Sequence, residues 1–195
     1  GGTYYNPAFV NADGNRNNRN KYSATVSKPA AYLSAEAKPL PDLTMLAGVR
    51  MEQYQQEYSD YVTDNEQVLD DLDLFPSLNF TYAVNDNQNL RLSYSRTIAR
   101  PSFKELSRVT IFDPISGRVF IGGQERYEVN NEVTWDGNLS ATRVNNFDLR
   151  WEWFQQRNQM VSVSVFSKTF DNPIEIVQLI EGKSNLQPRN VGNGQ

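Results

Sequence analysis

Two runs of strict alternation flank a polar turn between Leu74 and Pro101, and they constrain the fold more than any other feature of the chain. Leu78, Phe80 and Tyr82 alternate with Ser77, Asn79 and Thr81; after Asn85-Asp86-Asn87-Gln88, Leu90, Leu92 and Tyr94 alternate with Arg91, Ser93 and Ser95. Successive side chains of a strand point to opposite faces, so this pattern predicts an antiparallel hairpin with one apolar face and one polar face. The polar face carries a full charge, at Arg91. What the apolar face meets, a protein core or lipid, is the question the rest of the chain has to answer.

The same period recurs on both sides of the hairpin. Tyr22 to Ala37 reads as strand, broken at Lys28-Pro29 because proline cannot donate to a ladder. Ala31, Leu33, Ala35 and Ala37 oppose Tyr32, Ser34 and Glu36, and two prolines in Lys38 to Asp42 enforce a turn. Leu43, Met45, Ala47, Val49 and Met51 then oppose Thr44, Gly48, Arg50 and Glu52, with Leu46 the exception, in a strand running on toward Tyr58. Further on, Phe147, Leu149, Trp151 and Trp153 oppose Asn146, Asp148, Arg150 and Glu152; Gln155 to Gln159 turns, and Val161, Val163 and Val165 return against Ser162 and Ser164. The apolar side changes at Val165-Phe166, where a bulge is expected.

Connection lengths order these strands. Short turns at 38–42, 85–88 and 155–159 interleave with long connections at about 58–73, 98–143 and 171–190, so every short turn falls at one end and every long connection at the other. Residues Ser59 to Asp73 read as a long acidic loop. The 98–143 connection reads as irregular, with short strands within Arg118 to Glu132, and Ile174 to Ile180 reads as a strand extension. Gly1 to Asn20 reads as an exposed loop, and Asn190 to Gln195 as the start of a further strand. This predicts an all-β chain of antiparallel up-and-down strands forming part of a large transmembrane β-barrel, whose tilted strands need ~9–11 residues to cross a bilayer. Tyr82 and Trp153, just before short turns, stand where an aromatic girdle would lie. A soluble β-sandwich shares the alternation and stays open as an alternative. Six strands leave two unpaired edges, so residues 1–195 read as a segment of a longer barrel, or as sheets completed by residues outside this stretch.

Composition removes several functions. A formal charge of −4 argues against a partner bound through phosphate neutralisation, so no nucleic acid is expected. The chain has no Cys and no His, which removes thiolate and nearly all zinc chemistry together with the commonest general base. Asp148 and Glu152 lie four residues apart on one strand, roughly 13 Å, too far to act together on a glycosidic bond. The acidic run Asp60 to Asp73 lacks calcium-loop spacing, and Gly122-Gly123 reads as a turn rather than a phosphate cradle. No metal or cofactor is predicted. The candidate ligand-binding or lumen-facing residues are Arg50, Glu52, Arg91, Asp148, Arg150 and Glu152, together with the loop aromatics Phe112 and Tyr127. The charged set either pairs with itself or lines a polar path. The loop aromatics, which also include Tyr58, Tyr61, Phe103 and Phe120, either stack on a planar ligand or pack their own loop.

Several stretches resemble a known family. AAYLSAEAKPLPDLTMLAGVRMEQY, PSLNFTY, NLRLSYSRTIARPSFKEL, VNNFDLRWEWF and VSVSVFSKTFDNPIE are similar to the C-terminal barrel half of TonB-dependent outer-membrane receptors, over about Ala30 to Gln195. The resemblance implies a non-enzymatic segment in the cell outer membrane of a Gram-negative bacterium, taking up a scarce solute such as a ferric siderophore, a cobalamin or a glycan. It implies membrane lipid, a plug domain of the same receptor, the TonB complex and a small-molecule or glycan ligand as partners. Arg100-Pro101 would open an outer loop, and Asn190-Val-Gly-Asn-Gly would lead into the next strand. The plug and a closing strand with a terminal aromatic are not found in these residues, so energy coupling is assigned to none of them. An outer-membrane adhesin or enzyme barrel is a third reading.

Overall fold

The computed structural model describes residues 22–60, 66–156, 159–179 and 185–192. The strands are β1 (Tyr22–Ser27), β2 (Ala30–Leu40), β3 (Leu43–Asp60), β4 (Glu66–Asn85), β5 (Gln88–Ala99), β6 (Thr110–Asp113), β7 (Arg118–Ile121), β8 (Tyr127–Val129), β9 (Glu132–Trp135), β10 (Thr142–Gln156), β11 (Gln159–Asp171), β12 (Ile174–Gln178) and β13 (Asn185–Asn190). No helix occurs among the described residues.

One antiparallel sheet forms the wall, in the order β1-β3-β4-β5-β10-β11 with β2 also on β3. β1 and β2 are two halves of one strand position, interrupted at Lys28-Pro29 as the proline predicts. The register aligns the alternation across the whole wall. Leu43, Tyr82, Leu90, Trp151 and Val163 form one cross-strand row, and Met45, Phe80, Leu92, Leu149 and Val165 the next. On the opposite face the equivalent rows read Thr44, Thr81, Arg91, Arg150, Ser164 and Leu46, Asn79, Ser93, Asp148, Phe166. The hairpin turns fall at Pro41-Asp42 and Asp86-Asn87, and Gln156 pairs with Gln159. At the turn end Trp151 and Trp153 stack with centroids 6.2 Å apart, and the Trp151 indole N–H donates to Gln88 Oε1 at 3.1 Å. An apolar ring with a satisfied polar tip at that level suits a membrane interface.

Nothing among the described residues covers the apolar face. Leu33 stays 74% exposed and Val163 56%, whereas the buried residues cluster elsewhere. The sandwich expected as an alternative needs a second sheet on this face. The additional sheets, β12-β13-β7-β6 and the β8-β9 hairpin, pack instead against the polar face. There Leu69 of β4 forms a core with Leu106 and Leu139 of the long connection, flanked by Tyr54, Val68, Trp135 and Ile174. Tyr58, also fully buried, accepts a hydrogen bond from the Arg108 amide.

Three expectations are corrected. Ser59 to Asp73 is not a long acidic loop: β3 and β4 remain paired as far as Tyr58 and Glu66, and Asp70, Asp71 and Asp73 are ladder residues. The acidic side chains masked an alternation in which Leu72 and Leu74 face one way and Leu69, Asp71 and Asp73 the other. There is no bulge at Val165-Phe166. The register runs through it unbroken, Leu149 to Val165 and Asp148 to Phe166, so Phe166 sits on the polar face at an edge strand where it remains 72% exposed. The 171–190 connection holds two strands, β12 as expected and β13, which pairs antiparallel with β12 and parallel with β7 rather than leading into the wall. Gly122-Gly123 stands at a turn, as expected, with the Glu125 amide donating to the Gly122 carbonyl at 3.1 Å, and the two glycines also allow close packing. A Cβ on Gly122 would lie 1.9 Å from the Ser107 carbonyl oxygen, and one on Gly123 2.8 Å from that of Glu105. The residue 1–20 loop and the last three residues lie outside the described residues.

The β7 end is pinned to the Ser102–Val109 turn by the Gly122 and Gly123 amides, which donate to the carbonyls of Val109 and Glu105. Substituting Gly122 with Ala should therefore cost about 3 kcal/mol of docking energy, the upper range for overpacking. Gly117→Ala, at φ 66° but with nothing within 4 Å, should cost only about 1 kcal/mol. Limited proteolysis of the two variants checks this: cleavage within 100–142 should accelerate for Gly122→Ala and hardly change for Gly117→Ala, with the wall resistant in both.

Candidate functional site

Near the long-connection end, β3 and β4 bring Glu52 opposite Asp73, two buried carboxylates side by side. Like charges in that position repel unless cations intervene. Arg100, the residue that follows β5, bridges them: one terminal guanidinium nitrogen lies 3.2 Å from Glu52 Oε2 and the other 3.3 Å from Asp73 Oδ2. Its guanidinium also stacks over the Tyr54 ring at 4.2 Å. Arg143 donates to Asp73 Oδ1 through two nitrogens, at 3.1 and 3.0 Å, and Arg50 and Lys28 approach Glu52 at 2.7 and 3.6 Å.

The second cluster lies toward the short turns. Arg91 and Arg150 are direct cross-strand partners, an unfavourable pairing that Glu152 relieves. Its carboxylate, about 6% exposed, takes Arg91 Nε at 3.0 Å on one oxygen and Arg150 Nε at 3.2 Å on the other. The Arg150 contact is coulombic, since its Nε makes no hydrogen bond. Asp148, one row away between Ser93 and Phe166, makes no ion pair among the described residues.

The expected residues thus divide. Arg50 and Glu52 belong to the first cluster, and Arg91, Arg150 and Glu152 to the second. Asp148 stands alone. Phe112 and Tyr127 join neither, because both lie in the long connection: Phe112 is half-buried on β6 opposite Val119, and Tyr127 lies on β8 opposite Trp135. Arg189 of β13 stacks on both Tyr127 and Trp135, 5.5 Å from each ring. Burial holds its guanidinium below the usual arginine range, partly offset by Tyr127. At the β6–β7 turn, hydrogen bonds from the Ser116 hydroxyl and the Ile115 amide hold the Asp113 carboxyl below the usual carboxylate range.

Sequence reasoning missed Asp73, Arg100, Arg143 and Lys28. The first reads as part of an acidic loop. The next two stand at the ends of strands, where alternation no longer assigns a face, and only the docking of the long connection decides their partners. Arg100→Ala leaves two buried carboxylates short of a cation, so it should destabilise the folded protein by about 3 kcal/mol. Arg100→Lys should recover little of that loss, since an ammonium neither bridges two carboxylates in a fixed fork nor stacks as a plane on Tyr54. Thermal unfolding of the detergent-solubilised full-length protein reads both.

The described arrangement is a one-layer wall with ionic clusters on one face and a folded connection lying on them. No curated protein sequence matches the chain. Among solved structures, it is similar to the siderophore receptor PirA from Pseudomonas aeruginosa, at 16% identity and TM-score 0.64 over 86% of this chain and 29% of that one. It is also similar to the FrpB iron transporter from Neisseria meningitidis, at 14% identity and TM-score 0.55 over 89% and 22%. A third is the alcaligin outer-membrane receptor FauA from Bordetella pertussis, at 14% identity and TM-score 0.52 over 89% and 26%. The chain spans less than a third of each of these. At such identities the likeness is one of fold. The family model "TonB dependent receptor-like, beta-barrel" matches residues 1–195, the full length, and the chain accordingly belongs to the TonB-dependent receptor β-barrel family.

Proposed function

We propose that this chain is part of the barrel wall of an outer-membrane receptor that takes up a scarce solute, with the apolar face toward lipid and the polar face toward the lumen. The observation that carries the reading is the cross-strand register. Aligned apolar rows run the width of the wall with no layer over them, while carboxylates and guanidiniums fill the other side. Such a face is costly in water and stable in hydrocarbon. Among the described residues the sheet has open edges at β1–β2 and at β11, which call for further strands, because a lipid-exposed ladder edge leaves amides and carbonyls unpaired. Residues 1–195 are thus a partial barrel.

On this reading short turns face the periplasm, and the connections carrying β6 to β9, β12 and β13 form the outer mouth. The wall performs no reaction. Two of the solved structures to which it is similar are described as a siderophore receptor and an iron transporter, which favours a small iron-bearing solute over a glycan. A plug domain of the same receptor would face Arg50, Glu52, Arg91, Asp148, Arg150 and Glu152, and the TonB complex would act through that plug. Asp148, with no ion pair among the described residues, is a luminal carboxylate available to meet the plug or the solute.

Full-length protein should fractionate with the outer membrane and migrate as a heat-modifiable band from detergent. A folded monomer in plain buffer would sink the lipid-facing assignment. Arg91→Ala should reduce solute uptake severalfold with the heat-modifiable band intact; undiminished uptake removes Arg91 from the solute path.

A further inference from the structure

The apolar face does not stay apolar to its outer limit. Its rows end with Tyr94, Phe147 and Ser167, and the row beyond, Arg96, Asn145 and Thr169, is polar throughout. Directly inward of this row the same face holds an open groove of about 550 Å³. Leu78, Phe80 and Leu92 line it together with the Tyr94–Phe147 ring pair, whose centroids lie 4.8 Å apart. Asn145 and Thr169 supply its polar side chains besides the Tyr94 hydroxyl.

The polar row is short of partners. The Tyr94 hydroxyl donates to Asn145 Oδ1 at 3.0 Å, which orients the amide and leaves its N–H groups to donate elsewhere. Arg96 makes no ion pair among the described residues, and its buried Nε has no hydrogen-bond partner. In the next row outward, Ile98, Arg143 and Asp171, the Arg143 guanidinium is taken by Asp73, so Arg96 is the cation of this rim that no carboxylate holds among the described residues. A cation at the rim of a lipid-facing wall is stable where it reaches headgroups. The groove below it continues the apolar face, is lined by aliphatic and aromatic side chains, and has room for a hydrocarbon chain.

We propose that this groove and the Arg96–Asn145–Thr169 row seat a single lipid of net negative charge. Its phosphate oxygens accept hydrogen bonds from Arg96 and the Asn145 amide, and one acyl chain lies in the groove between Phe80, Leu92 and the Tyr94–Phe147 pair. The inference rests on the lipid-facing reading and adds a stated lipid chemistry to one place on that face. The chain requirement distinguishes it from a site for free phosphate, and the charge requirement from non-specific solvation by bilayer.

Native mass spectrometry of the full-length protein, released from detergent with added phosphatidylglycerol, tests it. Phosphatidylglycerol should be retained about fivefold less by Arg96→Gln, the share of one cation near an anionic headgroup. Leu92→Trp, which fills the groove and keeps the arginine, should weaken retention comparably. Phosphatidylcholine with the same chains should bind about fivefold more weakly for want of net charge, and glycerol phosphate roughly a hundredfold more weakly for want of chains. Equal retention by the wild type and Leu92→Trp, or by the wild type and a folded Arg96→Gln, overturns the seat, as does glycerol phosphate displacing the lipid as well as phosphatidylglycerol does. Heat-modifiable migration and insertion into phosphatidylcholine vesicles separate the two levels. A wild-type protein that does not insert defeats the lipid-facing reading itself, whereas one that inserts without preferring the anionic lipid defeats only the seat.

Discussion

Everything in this structure hangs on the backbone ladder and its two-residue period. The ladder pairs amides and carbonyls between neighbouring strands, and the alternation it enforces delivers each side chain to one face or the other. A one-residue slip anywhere would send arginines and carboxylates to the apolar side and leucines to the ionic one. The observed pairing keeps Met45, Phe80, Leu92, Leu149 and Val165 level across five strands, so the apolar rows act as a single register lock. Arg91 opposite Arg150 shows the strength of that lock: the ladder tolerates a repulsive pair and Glu152 neutralises it.

The wall was legible in the sequence because alternation is a local signal. Leu78 to Tyr94 declared both faces and the turn, and Lys28-Pro29 declared the interruption between β1 and β2. The misreadings arose where local signals conflict with pairing. Asp70, Asp71 and Asp73 have poor strand propensity and read as loop, yet β3 opposite them and the cation of Arg100 hold Asp73 in the ladder. Phe166 read as a change of face because a large apolar side chain stood where a polar one was due; at an edge strand the ladder accepts it without a shift.

The clusters were half legible. Glu52, Arg91, Arg150 and Glu152 announced themselves as charges in alternating strands. Arg100, which meets Glu52 and Asp73, and Arg143, which meets Asp73, are fixed by how a distant connection docks, a tertiary fact with no sequence period. The same holds for Arg189, brought onto Tyr127 and Trp135 by a parallel pairing between β13 and β7 that nothing local specifies. The groove on the apolar face lies further still from sequence reading, since it requires four neighbouring strands at once.

β4 outruns its neighbour. Its pairing with β5 stops at Ser77 and Ser95, while residues 66–76 continue beside β3 alone, roughly 35 Å of ribbon at ~3.3 Å per residue. The long connection rests on the polar side of that ribbon through Arg100, Leu106 and Leu139, and among the described residues no ladder joins the two. A join without a shared ladder is modular. Over evolutionary time the connection can be lengthened, shortened or exchanged while the wall keeps its register, provided an arginine still meets the Glu52–Asp73 pair and an apolar knob still meets Leu69. Divergence in such a protein should concentrate in what the ribbon carries, leaving the ribbon itself as a reusable mount.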